Sequence, residues 1–297
     1  MIVFLFGAGA SFGSGNVHPI NPPLGNNLFN SLQRLFPTTW GQIPDELSSK
    51  FENDFEKGMH EVIRNHSFSI APLMQHMGIF FSRFNLYDDK SNYYKSLVSH
   101  IKNVSLLNQT VFSSLNYECL LEIAVSQKGI QINYFDEPSD NSASIFKLHG
   151  SSNFKSNNIQ ASRGVQFSSG VSFEGGIQVI QPRDVPRVFK GNTGLYPAMC
   201  LYAKNKPLAI APSQIKEAQK KWKGIIEKAD KVFIIGVKPN VEDKHIWEPL
   251  ANSEAHLYYV GLEEDFSNWT TEHRSYNYKY LGSTWEETHD KILRELN

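Results

Sequence analysis

Apolar positions in this 297-residue chain follow two patterns. Ile2–Phe6 (IVFLF) and Lys231–Ile235 (KVFII) are short apolar runs without polar alternation, as expected of strands buried on both faces. Shorter runs at Gln109–Leu115, Ile130–Tyr134, Ser144–Leu148, His256–Val260 and Tyr276–Leu281 predict further strands. Helical spacing predicts helices at Leu24–Phe36, about Tyr117–Gln127, Ser213–Lys228, near Asp243–Ala251 and Thr284–Leu296. Between the first helix and the second strand, three apolar series keep a fourth-residue rhythm. They are Leu47, Phe51, Phe55, Met59 and Val62; then Leu73, Met77, Phe80, Phe81 and Phe84; then Tyr94, Leu97, Val98 and Ile101.

Strands alternating with helices imply an α/β fold, a Rossmann-like parallel sheet covered by helices on both faces. The three helical series read as a module inserted at 40–105 of a single domain spanning 1–297. Residues 151–212, rich in Gly, Ser and Asn, read as a second insertion of loops and hairpins, with alternating pieces at Val171–Phe173 and Ile177–Ile180. The helical insertion carries more aromatic and methionine residues than capping one sheet face requires. Phe80, Phe81 and Phe84 therefore form either the insertion's own core or a surface for assembly into an oligomer.

Composition narrows the class. A net charge of −1 and an isoelectric point near 6.8 offer no basic footprint for nucleic acid. Two cysteines, Cys119 and Cys200, are too few for an all-cysteine zinc site and suit a reducing compartment. No run approaches the ~20 apolar residues of a membrane span. The apolar start has no basic segment before it and meets glycine early, unlike a secretory signal. The expectation is a soluble, cytoplasmic protein.

Candidate chemistry follows from where the strands end, because doubly wound sheets bind ligands beyond their carboxyl edges. The first strand runs into Gly7, Ala8, Gly9, Ala10 and Ser11, a turn suited to backbone approach by a diphosphate. Phe12 stands where the dinucleotide pattern G-x-G-x-x-G has its last glycine. Other strand ends deliver Asn116, His149 with Gly150, and Gly236 with Asp243 nearby. Taken alone, Asn116 suits an N-cap for a helix at Tyr117 better than a ligand site, and His149 suits a loop histidine bonded to a carbonyl as well as it does a site. Lysines 216, 220, 221, 223, 228 and 231 are interspersed with acids and read as a solvated face. No cluster of metal ligands is visible.

GAGASFGSG followed by PPLGNNLFNSL resembles the opening of the bacterial sirtuin-like NAD hydrolases of antiphage defence systems. SSLNYECLLE resembles that family's T-x-N-Y-D-x-L-x-E segment, KLHGSSN its K-L-H-G segment, and VFIIGVKPNVEDKHIW its later strand–glycine–acid piece. The resemblance runs in order from Ile2 to about Gly261. Glu118 replaces the family's Asp, Val237-Lys238-Pro239 replace small polar residues, and Gly261 stands where Asn is common. The resemblance implies an NAD glycohydrolase yielding nicotinamide and ADP-ribose, with NAD as substrate and no metal. It implies Asn116 and His149 as catalytic residues, and Gly7, Ala8, Gly9, Ala10, Ser11, Glu118, Gly236 and Asp243 as cofactor-binding residues. It further implies a separately encoded activator, such as a helicase-like ATPase or a nucleic-acid-guided sensor, and an assembly surface on the helical insertion would make the protein a homo-oligomer. Two alternatives are a non-catalytic scaffold that binds NAD or ADP-ribose and a sirtuin-like ADP-ribosyltransferase or deacylase. Deacylating sirtuins carry a four-cysteine zinc module that this chain cannot build.

Overall fold

A row of aromatic rings fixes the register of the main sheet. Phe112, Phe4, Phe233 and Tyr258 stand opposite one another on four neighbouring parallel strands, with ring centroids 5.8, 4.9 and 4.6 Å apart. Side chains alternate between the faces, so a slip of one residue would send the whole row to the other layer.

The structure, a computed structural model, describes residues 1–64, 69–161, 173–190, 195–200 and 210–296. In chain order the first half runs β1 (Ile2–Phe6), α1 (Ala8–Phe12), β2 (Val17–His18), α2 (Gly25–Leu35), α3 (Asp45–Asn53), α4 (Phe55–Arg64), α5 (Ile70–Phe81), β3 (Asn85–Leu86), α6 (Tyr93–Asn103), β4 (Thr110–Ser114), α7 (Leu120–Gln127), β5 (Gln131–Tyr134) and β6 (Ser142–Lys147). The second half runs β7 (Phe154–Ala161), β8 (Phe173–Val179), α8 (Val185–Phe189), α9 (Pro212–Ile226), β9 (Lys231–Ile235), α10 (Lys244–Asn252), β10 (His256–Val260), α11 (Glu263–His273), β11 (Tyr278–Gly282) and α12 (Trp285–Leu296).

Seven strands form one parallel sheet in the order β11-β10-β9-β1-β4-β6-β5. The aromatic row packs under α2–α7 and α12. On the other face Val3, Leu5, Val232 and Ile234 pack with Trp222, Trp247 and Phe266 of α9–α11. This is the Rossmann-like α/β architecture that the strand–helix alternation implies. The chain leaves β1 towards β4 on one side and leaves β9 towards β10 on the other. The crevice between the carboxyl ends of β1 and β9 is therefore the topological switch point, where such sheets take ligands.

Several expectations need correction. The helix expected from Tyr117 begins at Leu120, because the Glu118 carboxylate accepts from Leu120 N–H at 2.7 Å and Lys147 Nζ donates to the Glu118 carbonyl at 2.6 Å. Those bonds hold residues 116–119 in a turn. The first helical series is two helices, because Asp54 breaks it and caps the second through Glu56 N–H and Lys57 N–H at 3.0 and 3.1 Å. Phe80, Phe81 and Phe84 are buried in the main core and offer no surface for assembly. Helix α11 was not expected, and a short antiparallel pair, β2–β3, ties the loop after α1 to the end of the α5 segment. Ile177 lies in the antiparallel hairpin β7–β8, whereas Val171 and Ser172 fall outside the described residues.

One polar clamp closes the sheet's β10–β11 end. The guanidinium of Arg274 donates to the carbonyls of Leu250 and Ser253, both at 2.7 Å, and to that of Ala255. Burial lowers its pKa from the ordinary arginine value. Lysine lacks this planar fork, so Arg274→Lys is expected to destabilise the protein by roughly 1–3 kcal/mol through the carbonyls left unpaired. Urea unfolding with an unchanged m-value checks this; an unchanged midpoint would contradict it.

Candidate active site

The rim is built by hydrogen bonds that extend the sheet ladder one residue past each strand. Leu115 N–H donates to Phe6 O at 2.9 Å, Leu148 N–H to Ser114 O at 3.0 Å, and Gly7 N–H to Ile235 O at 3.0 Å. Ser114 and Lys147 are paired in register, so Asn116 and His149 each stand two residues beyond the same rung. The Gly7 turn and Gly236 each follow the paired Phe6 and Ile235. Four strand ends thus bring Gly7–Ser11, Asn116, His149 and Gly236 to one edge.

Close packing, and not an open cradle, explains the glycines. A Cβ on Gly7 would lie 2.4 Å from Gly236 O, and one on Gly9 would lie 2.9 Å from Gly236 Cα. Gly236 itself has φ +64°. Gly9 N–H donates to Gly236 O and Ala10 N–H to Gly7 O, both at 3.0 Å. The N–H groups of Gly7, Gly9 and Ala10 are therefore spent within the fold, and Ala8 is the exposed member of the turn. Gly7→Ala is expected to destabilise the protein by roughly 1–3 kcal/mol through backbone overlap, whatever the ligand. Thermal unfolding without ligand tests this, and an unshifted melting temperature would contradict it.

Ser11 is the hub of a buried polar network. Its hydroxyl donates to Glu118 Oε1 at 2.5 Å and takes Tyr94 Oη and Asn116 Nδ2 at 2.9 Å each. One donor and two acceptor positions exhaust a hydroxyl, so Ser11 has none left for a phosphate. Burial, and then the Glu118 carboxylate, hold the Tyr94 pKa well above the ordinary tyrosine value, keeping it a donor. Glu118, buried with one oxygen on Ser11 and the other on Leu120 N–H, faces inward and not towards the rim. Ser11 and Glu118, both expected to bind the cofactor, spend these groups on the inner network.

Asn116 is not a helix cap; Cys119 holds that position. Its Nδ2 donates to Gly7 O as well as to Ser11 Oγ, both at 2.9 Å. A carbonyl oxygen can only accept, which forces the amide orientation. Both N–H bonds are used, and among the described residues nothing donates to Oδ1. Asn116 therefore presents an acceptor to the rim.

His149 is held from all sides. Its carbonyl accepts from Cys200 N–H at 2.8 Å, and the preceding Leu148 carbonyl accepts from Gln219 Nε2 at 2.7 Å. Gly150 has φ +80°, and a Cβ there would lie 2.0 Å from Ala198 O. The Nε2 atom of His149 lies 3.3 Å from Asp243 Oδ1 and 3.1 Å from His245 Nε2. Asp243 stands at the start of α10 and is buried like His149. The three side chains form a cluster of metal-ligand type, which corrects the expectation that no such cluster exists.

His245, Tyr94 and Lys147 were missed. His245 lies two residues past Asp243 within NVEDKHIW, a readable signal. Tyr94 comes from the helical insertion, and nothing local marks it. Lys147 is a charge inside an apolar strand, which is itself a signal. Cys119 is buried, and burial followed by Glu122 pushes its thiol up to about 12, so it is no nucleophile. A cavity of about 410 Å³ lined by Lys102, Leu107, Asn108 and Asp140 lies at the amino-terminal edge of the sheet, away from these groups.

No family model matches the chain, and no curated protein matches it. Among solved structures the chain is similar to a Sir2 homologue in complex with NAD, with 14% identity and a TM-score of 0.47 over 99% of this chain and 88% of that one. It is also similar to a mutant Sir2 homologue in complex with ADP-ribose, with 16% identity and a TM-score of 0.47 over 99% and 91%. Likeness this remote carries no functional weight, and the site is read from its own geometry.

Proposed function

We propose that the chain is an NAD glycohydrolase that cleaves NAD to nicotinamide and ADP-ribose at this rim. The observation that carries the reading is the Asn116 carbonyl, fixed as an acceptor beside the switch point, with His149 at the same level on the neighbouring strand end. Nicotinamide in NAD is a cationic leaving group, so the glycosidic bond breaks without an acid, its electron pair staying on the ring nitrogen. The ribosyl group becomes oxocarbenium-like. The negative end of the Asn116 amide stabilises that charge or accepts from a ribose hydroxyl. Water then bonds to the anomeric carbon, and His149 takes its proton, with Asp243 orienting the imidazole. The diphosphate lies over exposed Ala8 and half-buried Gly9, and Gly236 completes that wall.

The family resemblance in the sequence supports a wider setting. The protein depletes cytoplasmic NAD in antiphage defence and is held inactive until a separately encoded activator releases it. An always active enzyme would consume its host's NAD, so the rim needs a second, silent state.

The test is incubation of purified protein with NAD, alone and with the product of the neighbouring gene, followed by chromatographic identification of products. Equal amounts of nicotinamide and free ADP-ribose are expected. ADP-ribose attached to protein would make the chain a transferase, and intact NAD under both conditions would make it a binding scaffold.

A further inference from the structure

We propose that His149, His245 and Asp243 bind a zinc-class divalent transition-metal ion, and that filling this site silences the rim. The silencing rests on the reading of His149 as the base; the metal site itself does not.

Three donor atoms from two separate elements converge. His149 Nε2 lies 3.1 Å from His245 Nε2 and 3.3 Å from Asp243 Oδ1, and one ligand atom from each residue falls within 4.8 Å of the others. Ligand atoms bound to one zinc ion at 2.0–2.2 Å stand roughly 3.0–3.5 Å apart, the range of the two shorter separations. Two imidazole nitrogens meet head-on, with a carboxylate oxygen against one of them. One proton can bridge a single such pair at a time, whereas a cation between them engages both ring lone pairs and the carboxylate together.

The donor set selects the ion. Two imidazoles and a carboxylate suit zinc and its neighbours; magnesium and calcium prefer oxygen throughout. The scaffold is arranged beforehand: Cys200 N–H holds the His149 carbonyl, and Asp243 O accepts from Ile246 N–H and Trp247 N–H at 2.8 and 3.0 Å. His149 and Asp243 are buried and His245 is half-buried. Three protein ligands leave a position for water or substrate. With Asp243 against Nε2 the base of the ring is Nδ1, and a cation on Nε2 takes that carboxylate for itself and lowers the basicity of Nδ1, so the metal-bound and catalytic states exclude each other.

The experiment uses the full chain stripped with a chelator and dialysed. Zinc is titrated by calorimetry and cobalt by its visible absorption, in wild type, His245→Ala and His245→Gln, the last keeping the side chain's bulk so that a folding defect is not mistaken for a lost ligand. One equivalent of zinc in wild type, with at least about 100-fold weaker binding in both variants, is expected. No zinc binding, or equal binding by wild type and variants, overturns the site. In the second arm, NAD turnover under the condition that gives it should fall with one equivalent of zinc and return with excess chelator. Zinc held through His245 with turnover unchanged overturns the silencing. Zinc held there by a protein that never cleaves NAD supports the site and overturns the hydrolase reading instead.

Discussion

His149→Ala is expected to lower NAD turnover by at least about 100-fold, the usual scale of lost acid–base help. Asn116→Ala should fall comparably, because the alanine offers no acceptor at that point of the rim. The two losses have different local consequences. Removing the His149 ring leaves its backbone bonds to Cys200 and the tie of Leu148 to Gln219 in place. Removing the Asn116 amide takes one donor from Gly7 O and one from Ser11 Oγ, so a modest drop in melting temperature accompanies the lost activity. Steady-state kinetics on folded variants decide the matter. Wild-type turnover in folded His149→Ala would remove histidine from the chemistry.

Lys147→Met is expected to cost about 3–5 kcal/mol of stability, because it strands a buried carboxylate. Lys147 and Glu122 are both buried and 3.3 Å apart, and Lys147 Nζ also donates to the Glu118 carbonyl. Burial, the largest single influence, would lower the Lys147 pKa, but Glu122, Cys119 and Glu118 together outweigh it and the net direction is up. Burial raises the pKa of Glu122, while Lys147 draws it back down. Without the lysine that restraint is gone, and the Glu122 pKa rises further. An acid whose folded pKa exceeds its unfolded value binds more protons when folded, so stability falls as pH rises through that range. The penalty of Lys147→Met should therefore grow between about pH 5 and about pH 8. Urea unfolding at both ends of the range measures it, and a penalty below about 1 kcal/mol, or one that shrinks as pH rises, would contradict this reading of the pair.

The parallel sheet was legible because burial on both faces leaves a plain mark. The IVFLF and KVFII runs carry it, and the observed strands have the expected limits. Helix α11 was not legible, since Phe266, Trp269 and Thr270 are its buried residues in an otherwise polar stretch. Tyr117 misled for a related reason. It is buried and fits a helical pattern, yet the turn that carries it is set by Glu118 and Lys147, 29 residues apart. The aromatics of α5 show the same limit from the other side, because spacing reveals an apolar face but not what covers it.

At the site, strand ends were readable as positions and not as contacts. The rule that ligands sit beyond carboxyl ends pointed to Asn116, His149 and Gly236. It could not show that Ser11 would be saturated by three partners, that the turn's N–H groups would close on Gly236, or that His245 would meet His149. Those are tertiary facts, set by which loops the fold presses together.

The most direct measurement is a ligand-bound structure of His149→Ala with NAD, the variant serving to keep the substrate intact. The account predicts the nicotinamide ribose within hydrogen-bonding reach of Asn116 Oδ1 and the diphosphate over Ala8 and Gly9. NAD bound elsewhere, for instance in the cavity beside Lys102 and Asp140, with the rim untouched, would contradict it.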